Sequence, residues 1–319
     1  MSLKSQRIAV ITPVFNDGAC LAPFLADLAS ASGLPAETTV LVIDDGSTDL
    51  ITIDPASVPQ EIGSVEILHL GCNLGHQRAI AAGLVVAVER NAYDAIIVID
   101  ADGEDRPQDV GALLAAHAQE PDAIIVAKRR SRQEALRFRF FYGVYKTLFH
   151  LLTGRKLDFG NFSLVPAAAA QRMVLMGELW NHYPATVMRS RIPIVRVALD
   201  RQSRYAGRSR MNFTSLVNHG LAGIAAFVDT AFARLLVSAV ALTGIFGLLA
   251  LAGIVLRLIS SVPIPGWAAL GASVALIGFI QIIAALVVLS FLTLSARSTA
   301  SPPPAKFASD YVARLEKVR

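Results

Sequence analysis

The sequence predicts an α/β domain built on a doubly wound, mostly parallel sheet, followed by a hairpin of two membrane-spanning helices. Three observations carry this. Short β-branched runs alternate five times with helix-like stretches over about the first 125 residues, the pattern of repeated β-α units. The run Ala95 to Ile99 is apolar without a break, as a strand buried on both faces reads, and it stops abruptly at Asp100-Ala101-Asp102-Gly103-Glu104-Asp105. Charged residues make up only 17% of the chain and are absent from Leu235 to Leu256 and from Val262 to Ala296, each run longer than the roughly 20 residues that cross a bilayer as a helix.

Taken in order, Arg7 to Ile11 forms a first strand that Thr12-Pro13 closes. Asn16 or Asp17 caps a helix from Gly18 to Ala31, which Gly33-Leu34-Pro35 ends. Val40 to Ile43 is a second strand running into Asp44-Asp45-Gly46-Ser47, and residues 50–63, with Pro55 and Pro59, are an irregular connection. Val65 to Leu70 is a third strand, and an alanine-rich helix follows from about His76 to Arg90. Beyond the fourth strand and the acidic turn come a helix from Pro107 to Gln119 and a fifth strand from Ala123 to Ala127. A basic cluster then leads into an apolar, aromatic stretch, so residues 128–153 read as an amphipathic element at a membrane surface.

The expected organisation is a soluble domain over residues 1–212, a juxtamembrane amphipathic helix over 213–233, a hairpin over 234–296 with spans at 235–258 and 268–294, and a tail over 297–319. Arg234 precedes the first span, and Arg297, Lys306, Arg314, Lys317 and Arg319 follow the second. The positive-inside rule therefore places the domain and both termini in the cytoplasm of a multi-pass inner-membrane protein. Arg257 runs against this and has to snorkel. Met1 to Gln6 lacks the apolar core of a signal peptide. Cys20 and Cys72 have no metal or redox spacing and read as packing residues. The net charge of +4 suits a chain lying against anionic lipid, and no nucleic-acid-binding motif is present.

Three predicted strand ends, at Pro13 to Asp17, Asp44 to Asp49 and Asp100 to Asp105, fall on one edge of the sheet, where open α/β sheets bind ligands. Gly75 opens a helix at the same edge, and a helix N-terminus suits a phosphate. There is no Walker sequence and no Gly-x-Gly-x-x-Gly, so neither an ATPase nor a dinucleotide enzyme is favoured. Two carboxylates one residue apart can instead share a hard divalent cation, which in turn ligates a diphosphate.

Thr12-Pro13-Val14-Phe15-Asn16-Asp17, Ile43-Asp44-Asp45-Gly46-Ser47-Thr48-Asp49, Asn73-Leu74-Gly75-His76-Gln77 with Ala81-Ala82-Gly83-Leu84, and Asp100-Ala101-Asp102 occur in the order and spacing of family 2 glycosyltransferases. The chain more narrowly resembles the polyprenyl-phosphate glycosyltransferases, the dolichyl-phosphate mannose synthase-like group with two C-terminal transmembrane helices. The resemblance covers about residues 7–295. It implies a GT-A (Rossmann-like) catalytic domain, a nucleotide-sugar donor, a polyprenyl phosphate acceptor, the lipid bilayer as partner, and Mg2+ or Mn2+ as cofactor. By the same resemblance Pro13, Phe15 and Asp17 hold the nucleobase, and Asp45 contacts base or ribose. Gly75, Gln77 and Ala101 line the donor site, and Asp100, Asp102 and Glu104 hold the metal. Arg129 and Arg132 receive the acceptor phosphate, Ser209 and Arg210 close over the diphosphate, and Asp158 and Asn161 lie at the reacting centre.

Three departures from the family pattern stand out: Asn161 replaces an Asp in Asp158-Phe159-Gly160-Asn161-Phe162, Arg208 replaces a common Glu, and the tail after Ala296 lacks the Gly-Arg-x-Tyr pattern tied to a homo-oligomer. Two other readings stay open at this point. One is transfer to another membrane lipid alcohol, for which Asp158 or Glu104 would have to act as base. The other is an inactive scaffold that binds nucleotide sugar. His76 reads as a phosphate contact or a polar cap, and Trp180, His182 and Tyr183 as sugar-stacking groups or membrane-interface anchors.

Overall fold

The sheet is built outward from β1 (Ile8–Val14), whose seven residues are all buried. The computed structural model describes residues 6–129, 136–207, 213–259, 266–298 and 302–319. β1 pairs in parallel with β2 (Thr39–Asp44) on one side and β4 (Ala95–Val98) on the other, and β2 pairs in parallel with β3 (Ser64–Leu70). Parallel strands in register finish at the same edge, so the segments after β1, β2 and β4 emerge together.

β1 runs through the expected stop at Thr12-Pro13 to Val14, three residues past Ile11. Ile11 turns its carbonyl toward β4, accepting from Ile99 N at 3.1 Å, whereas Val14 turns toward β2, accepting from Asp45 N at 2.9 Å. Pro13 shares the orientation of Ile11, and β4 has already ended on that side, so its missing N–H costs no ladder bond.

Helices cover both faces, as alternation of side chains along the strands requires. Val10, Val42 and Ile97 face α1 (Leu21–Ala29) and α3 (Val110–Gln119) through Phe24, Leu25, Leu28, Leu113 and Leu114. Ile11 and Ile43 face α2 (His76–Glu89), and the absence of a side chain at Gly83 lets the helix sit directly on them. The helix after β1 begins later than expected, behind a single 3-10 turn at Gly18–Cys20, and neither Asn16 nor Asp17 caps it. Cys20 is buried as expected, but Cys72 is exposed, because the 72–75 loop lies at the open edge.

The remaining strands depart from a simple doubly wound order. Among the described residues the sheet has eight strands, in the order β7-β5-β6-β4-β1-β2-β3-β8. β5 (Ile124–Arg129) does not follow β4; β6 (Phe159–Pro166) lies between them, antiparallel to both, and β7 (Ile194–Leu199) extends the sheet beyond β5. At the other edge the C-terminal segment comes back as β8 (Val312–Lys317), antiparallel to β3. Trp180 is buried against Phe307 and Tyr311, at 4.8 and 5.6 Å between ring centroids, and so is an anchor for this returning segment.

Two units divide the chain. The first holds residues 1–146, 156–226 and 301–319, and includes α5 (Ala167–Met173), α6 (Tyr183–Arg189) and α7 (Phe213–Ala225), with most of α4 (Leu136–Thr153). The second holds 147–155 and 227–300, with α8 (Val228–Ile259) packed on α9 (Gly266–Ser298). These helices have 32 and 33 residues, but among the described residues no single helix is long and apolar enough to cross a membrane.

A Cβ at Gly83 would lie 2.8 Å from both Ile11 and Ile43. Gly83→Val is therefore expected to destabilise the domain by about 1–3 kcal/mol through overpacking, read as a lower unfolding midpoint in denaturant; an unchanged midpoint would contradict the close seating of α2.

Candidate functional site

The acidic turn after β4 is held in shape by a second segment, Arg201 to Tyr205, laid along it. Tyr205 N donates to Asp102 O and Gln202 N to Glu104 O, both at 3.0 Å. The Tyr205 ring covers Gly103, where the positive φ of 81° and the ring's approach both exclude a side chain. Tyr205 Oη donates to Asp27 Oδ2 at 2.5 Å, tying the segment to α1.

Cations of the same segment answer the carboxylates. Arg201 reaches Glu104 Oε2 at 2.5 Å and Asp105 Oδ1 at 3.2 Å. Arg204 donates from Nη1 to Asp102 Oδ2 and from Nη2 to Asp17 Oδ2, both at 2.8 Å. Asp102 Oδ1 accepts from Glu104 N at 2.9 Å. Burial and the neighbouring Asp100 carboxylate nevertheless push the Asp102 carboxyl up to about 6, against the pull of Arg204.

At the end of β2, Asp45 accepts from Leu74 N at 2.7 Å and Gly75 N at 3.0 Å. Gly46 makes this approach feasible: with φ of 67°, a Cβ there would fall 2.6 Å from the backbone at Cys72 and Asn73. Burial raises the Asp45 pKa, while the two amides hold it down in part. Asp44 accepts from Ser47 N at 2.9 Å and meets His69 Nδ1 at 2.8 Å. Asn16, at φ of 51°, turns its Oδ1 to Thr48 N and Asp49 N at 2.8 and 3.2 Å, which locks the loop after β1 to the loop after β2.

A chain of amides orders the side nearest β6. Tyr183 N can only donate, so Gln77 presents Oε1 to it at 2.6 Å and turns Nε2 toward Asn161 Oδ1 at 3.2 Å. Asn161 Nδ2 is then directed at His76 Nε2, 3.0 Å away. That nitrogen also lies 3.2 Å from Asp100 Oδ1. The two contacts ask opposite things of it, a lone pair for Asn161 and a proton for Asp100. Asp158 is set apart, with Arg196 Nε at 3.1 Å and Lys128 Nζ at 3.3 Å. Burial pushes its pKa up, and these cations more than reverse that, holding it below the ordinary carboxylate range.

The expected site residues thus gather in part. Pro13 is the last residue but one of β1, Phe15 and Asp17 lie in the loop beyond it, and Asp45, Gly75, Gln77, Asp100, buried Ala101, Asp102 and Asn161 stand around the same edge. Glu104 is drawn to Arg201, and among the described residues no three His, Cys, Asp or Glu side chains converge as a ligand set. Asp100 and Asp102 fit a hard divalent cation as two oxygen donors one residue apart, with Arg204 on Asp102 Oδ2. Arg132, Ser209 and Arg210, with the side chain of Arg129, lie outside the described residues.

Arg201, Arg204 and Tyr205 escaped the sequence reading. So did the stacking of His182 on His219, 4.4 Å between ring centroids, with the His182 pKa lowered by burial and by His219 to about 3. Only the proximity of Arg201 and Arg204 to Gly207-Arg208-Ser209-Arg210 hinted at their role.

A mixed sheet whose parallel strand ends carry paired carboxylates beside a helix N-terminus is the architecture of a GT-A-like enzyme. The chain belongs to glycosyl transferase family 2, whose profile matches residues 9–180, and it is a glycosyltransferase. It is 26% identical over 190 residues to dodecaprenyl-phosphate galacturonate synthase of Rhizobium johnstonii, a match covering 58% of this chain and 55% of that protein. It is 28% identical over 274 residues to undecaprenyl-phosphate 4-deoxy-4-formamido-L-arabinose transferase of Proteus mirabilis, covering 80% and 78%. Among solved structures, glucosyl-3-phosphoglycerate synthase of Mycobacterium tuberculosis, in complex with Mn2+, UDP-glucose and phosphoglyceric acid, superposes with a TM-score of 0.50 at 16% identity, covering 72% of this chain and 82% of that one. That likeness shows the shared fold.

Asp45→Ala removes the acceptor for two backbone amides and is expected to cost about 1–3 kcal/mol. Thermal unfolding of the variant checks this, and a wild-type midpoint would show that Asp45 does not hold the 72–75 loop.

Proposed function

We propose that this glycosyltransferase moves one sugar from a UDP- or GDP-linked donor to a polyprenyl phosphate of undecaprenyl or dolichyl type, inverting the anomeric centre at the membrane surface. The observation that carries the reading is the acidic end of β4, where Asp100 and Asp102 meet the ends of β1 and β2 at one edge. The relatives that are polyprenyl-phosphate sugar transferases support the acceptor class.

In this reading the loop Pro13 to Asp17 and Asp45 take the nucleoside, and Asp100 and Asp102 hold Mg2+ or Mn2+, with Ser209 and Arg210 over the diphosphate. A bound cation supplies neutralisation of the charge that builds on the leaving diphosphate. Arg129 and Arg132 orient the acceptor phosphate by paired hydrogen bonds. Asn161, its amide aligned by Gln77 and the Tyr183 backbone, directs its Nδ2 at His76, whose ring lies against Asp100. A lipid phosphate is already ionised at neutral pH and needs no strong base. Asp158, paired with Arg196 and Lys128 and held acidic by them, is a poor base for an alcohol acceptor, and this favours the phosphate.

The membrane reading rests on α8 and α9, each about 48 Å long at 1.5 Å per residue. Val237, Leu248 and Val287 on them are 69, 69 and 62% exposed, which suits a lipid environment. The chain leaves the first unit at Ala226 and is back in it for β8.

The test is nucleoside diphosphate release by purified full chain in detergent with Mn2+ or Mg2+, across a panel of nucleotide sugars, with and without undecaprenyl phosphate. Release with one donor, dependent on the lipid phosphate and reduced at least about a hundredfold in Asp102→Asn, is the expected result. Donor turnover that a lipid alcohol supports and the lipid phosphate does not would overturn the acceptor assignment.

A further inference from the structure

Arg204 stands at the one oxygen that a cation on the acidic pair most needs. Asp102 Oδ1 is turned to the Glu104 amide, and the guanidinium of Arg204 holds Oδ2 at 2.8 Å. Its other prong holds Asp17 Oδ2, also at 2.8 Å, so one side chain spans from the loop after β1 to the turn after β4. The contact on Asp102 is largely shielded: the side chains of Arg204 and Asp102 are 16 and 18% exposed. A divalent ion and a guanidinium on the same shielded carboxylate oxygen repel each other with little solvent screening.

The backbone of the segment is pinned independently of this contact. Tyr205 N holds Asp102 O, Tyr205 Oη holds Asp27, and Arg201 holds Glu104 and Asp105. The Arg204 head can therefore leave by side-chain rotation while the segment stays in place, and its planar fork suits a diphosphate as well as two carboxylates.

We propose that Arg204 is a donor-binding residue that holds the place of the cation until the donor arrives: the cation displaces it from Asp102 Oδ2, and the freed guanidinium pairs with the donor's diphosphate. This rests on the reading of Asp100 and Asp102 as the cation site. It makes cation and nucleotide mutually reinforcing, because each removes an obstacle to the other.

The test is calorimetric titration of Mn2+ into the nucleotide-free full chain in detergent, repeated with UDP or GDP, whichever the wild type binds. Arg204→Met is expected to tighten Mn2+ binding at least about tenfold without nucleotide and to lose most of the further gain that nucleotide gives the wild type. Arg204→Lys, which keeps the charge, stays close to wild type in Mn2+ affinity. Arg204→Gln repeats the neutral substitution should the Met variant fail to fold. Mn2+ affinity unchanged or weakened in a folded neutral variant overturns the proposal, since Arg204 would then be orienting Asp102 for the ion. If wild type binds Mn2+ and nucleotide and the neutral variants gain nothing, only the role of Arg204 falls. If neither wild type nor variant binds Mn2+, the cation site falls with it.

Discussion

Crowding of carboxylates at one edge of the sheet is the constraint on which the rest of this structure depends. Parallel pairing of β1, β2 and β4 brings Asp17, Asp44, Asp45, Asp100 and Asp102 out on the same side, and Glu104 and Asp105 follow within the next turn. Like charges so placed destabilise the fold unless each finds a donor. Each does so differently: Asp45 takes two backbone amides, Asp44 takes a serine amide and His69, and the 201–205 segment supplies arginines to Asp17, Asp102, Glu104 and Asp105. Asp102 is pushed furthest, its carboxyl raised to about 6 by burial and by the neighbouring Asp100. A cation between Asp100 and Asp102 would relieve the repulsion between these two carboxylates.

The surrounding architecture serves to keep this edge rigid. α2 lies directly on β1 and β2 because Gly83 has no side chain, and so its N-terminus, with Gly75, His76 and Gln77, reaches the strand ends at a fixed height. The antiparallel strand β6 brings Asn161 to the same level from the other side of β4. The C-terminal segment closes the far edge by pairing β8 with β3, where Arg314 Nη2 meets His69 Nε2 at 3.0 Å, so the ring that contacts Asp44 is also braced from the last strand. Edge closure of this kind protects β3 from pairing with another chain.

Much of the edge was legible in the sequence because it is local. An apolar run ending in Asp-x-Asp, a second ending in Asp-Asp-Gly, and a glycine opening an alanine-rich helix each declare themselves within ten residues. What escaped was nonlocal or depended on polarity. β6 and β8 are antiparallel insertions whose partners lie about 70 and 250 residues away along the chain, and no period reports such a pairing. Arg201 and Arg204 are single cations in an irregular stretch, and only the fold shows that they face the acidic turn. Asp17 was expected to serve as a helix cap, but Arg204 claims its carboxylate, and Asn16 was drawn across to the neighbouring loop at Thr48 and Asp49.

The central claim is that the acidic end of β4 is where a cation and the donor's diphosphate meet. Anomalous diffraction at the manganese edge, from crystals of the full chain grown with Mn2+ and a nucleoside diphosphate, tests it most directly. The account predicts a single strong peak ligated by Asp100 and Asp102, with diphosphate oxygens on its open side. A peak held by other residues, with the nucleotide bound and no density between Asp100 and Asp102, would contradict it.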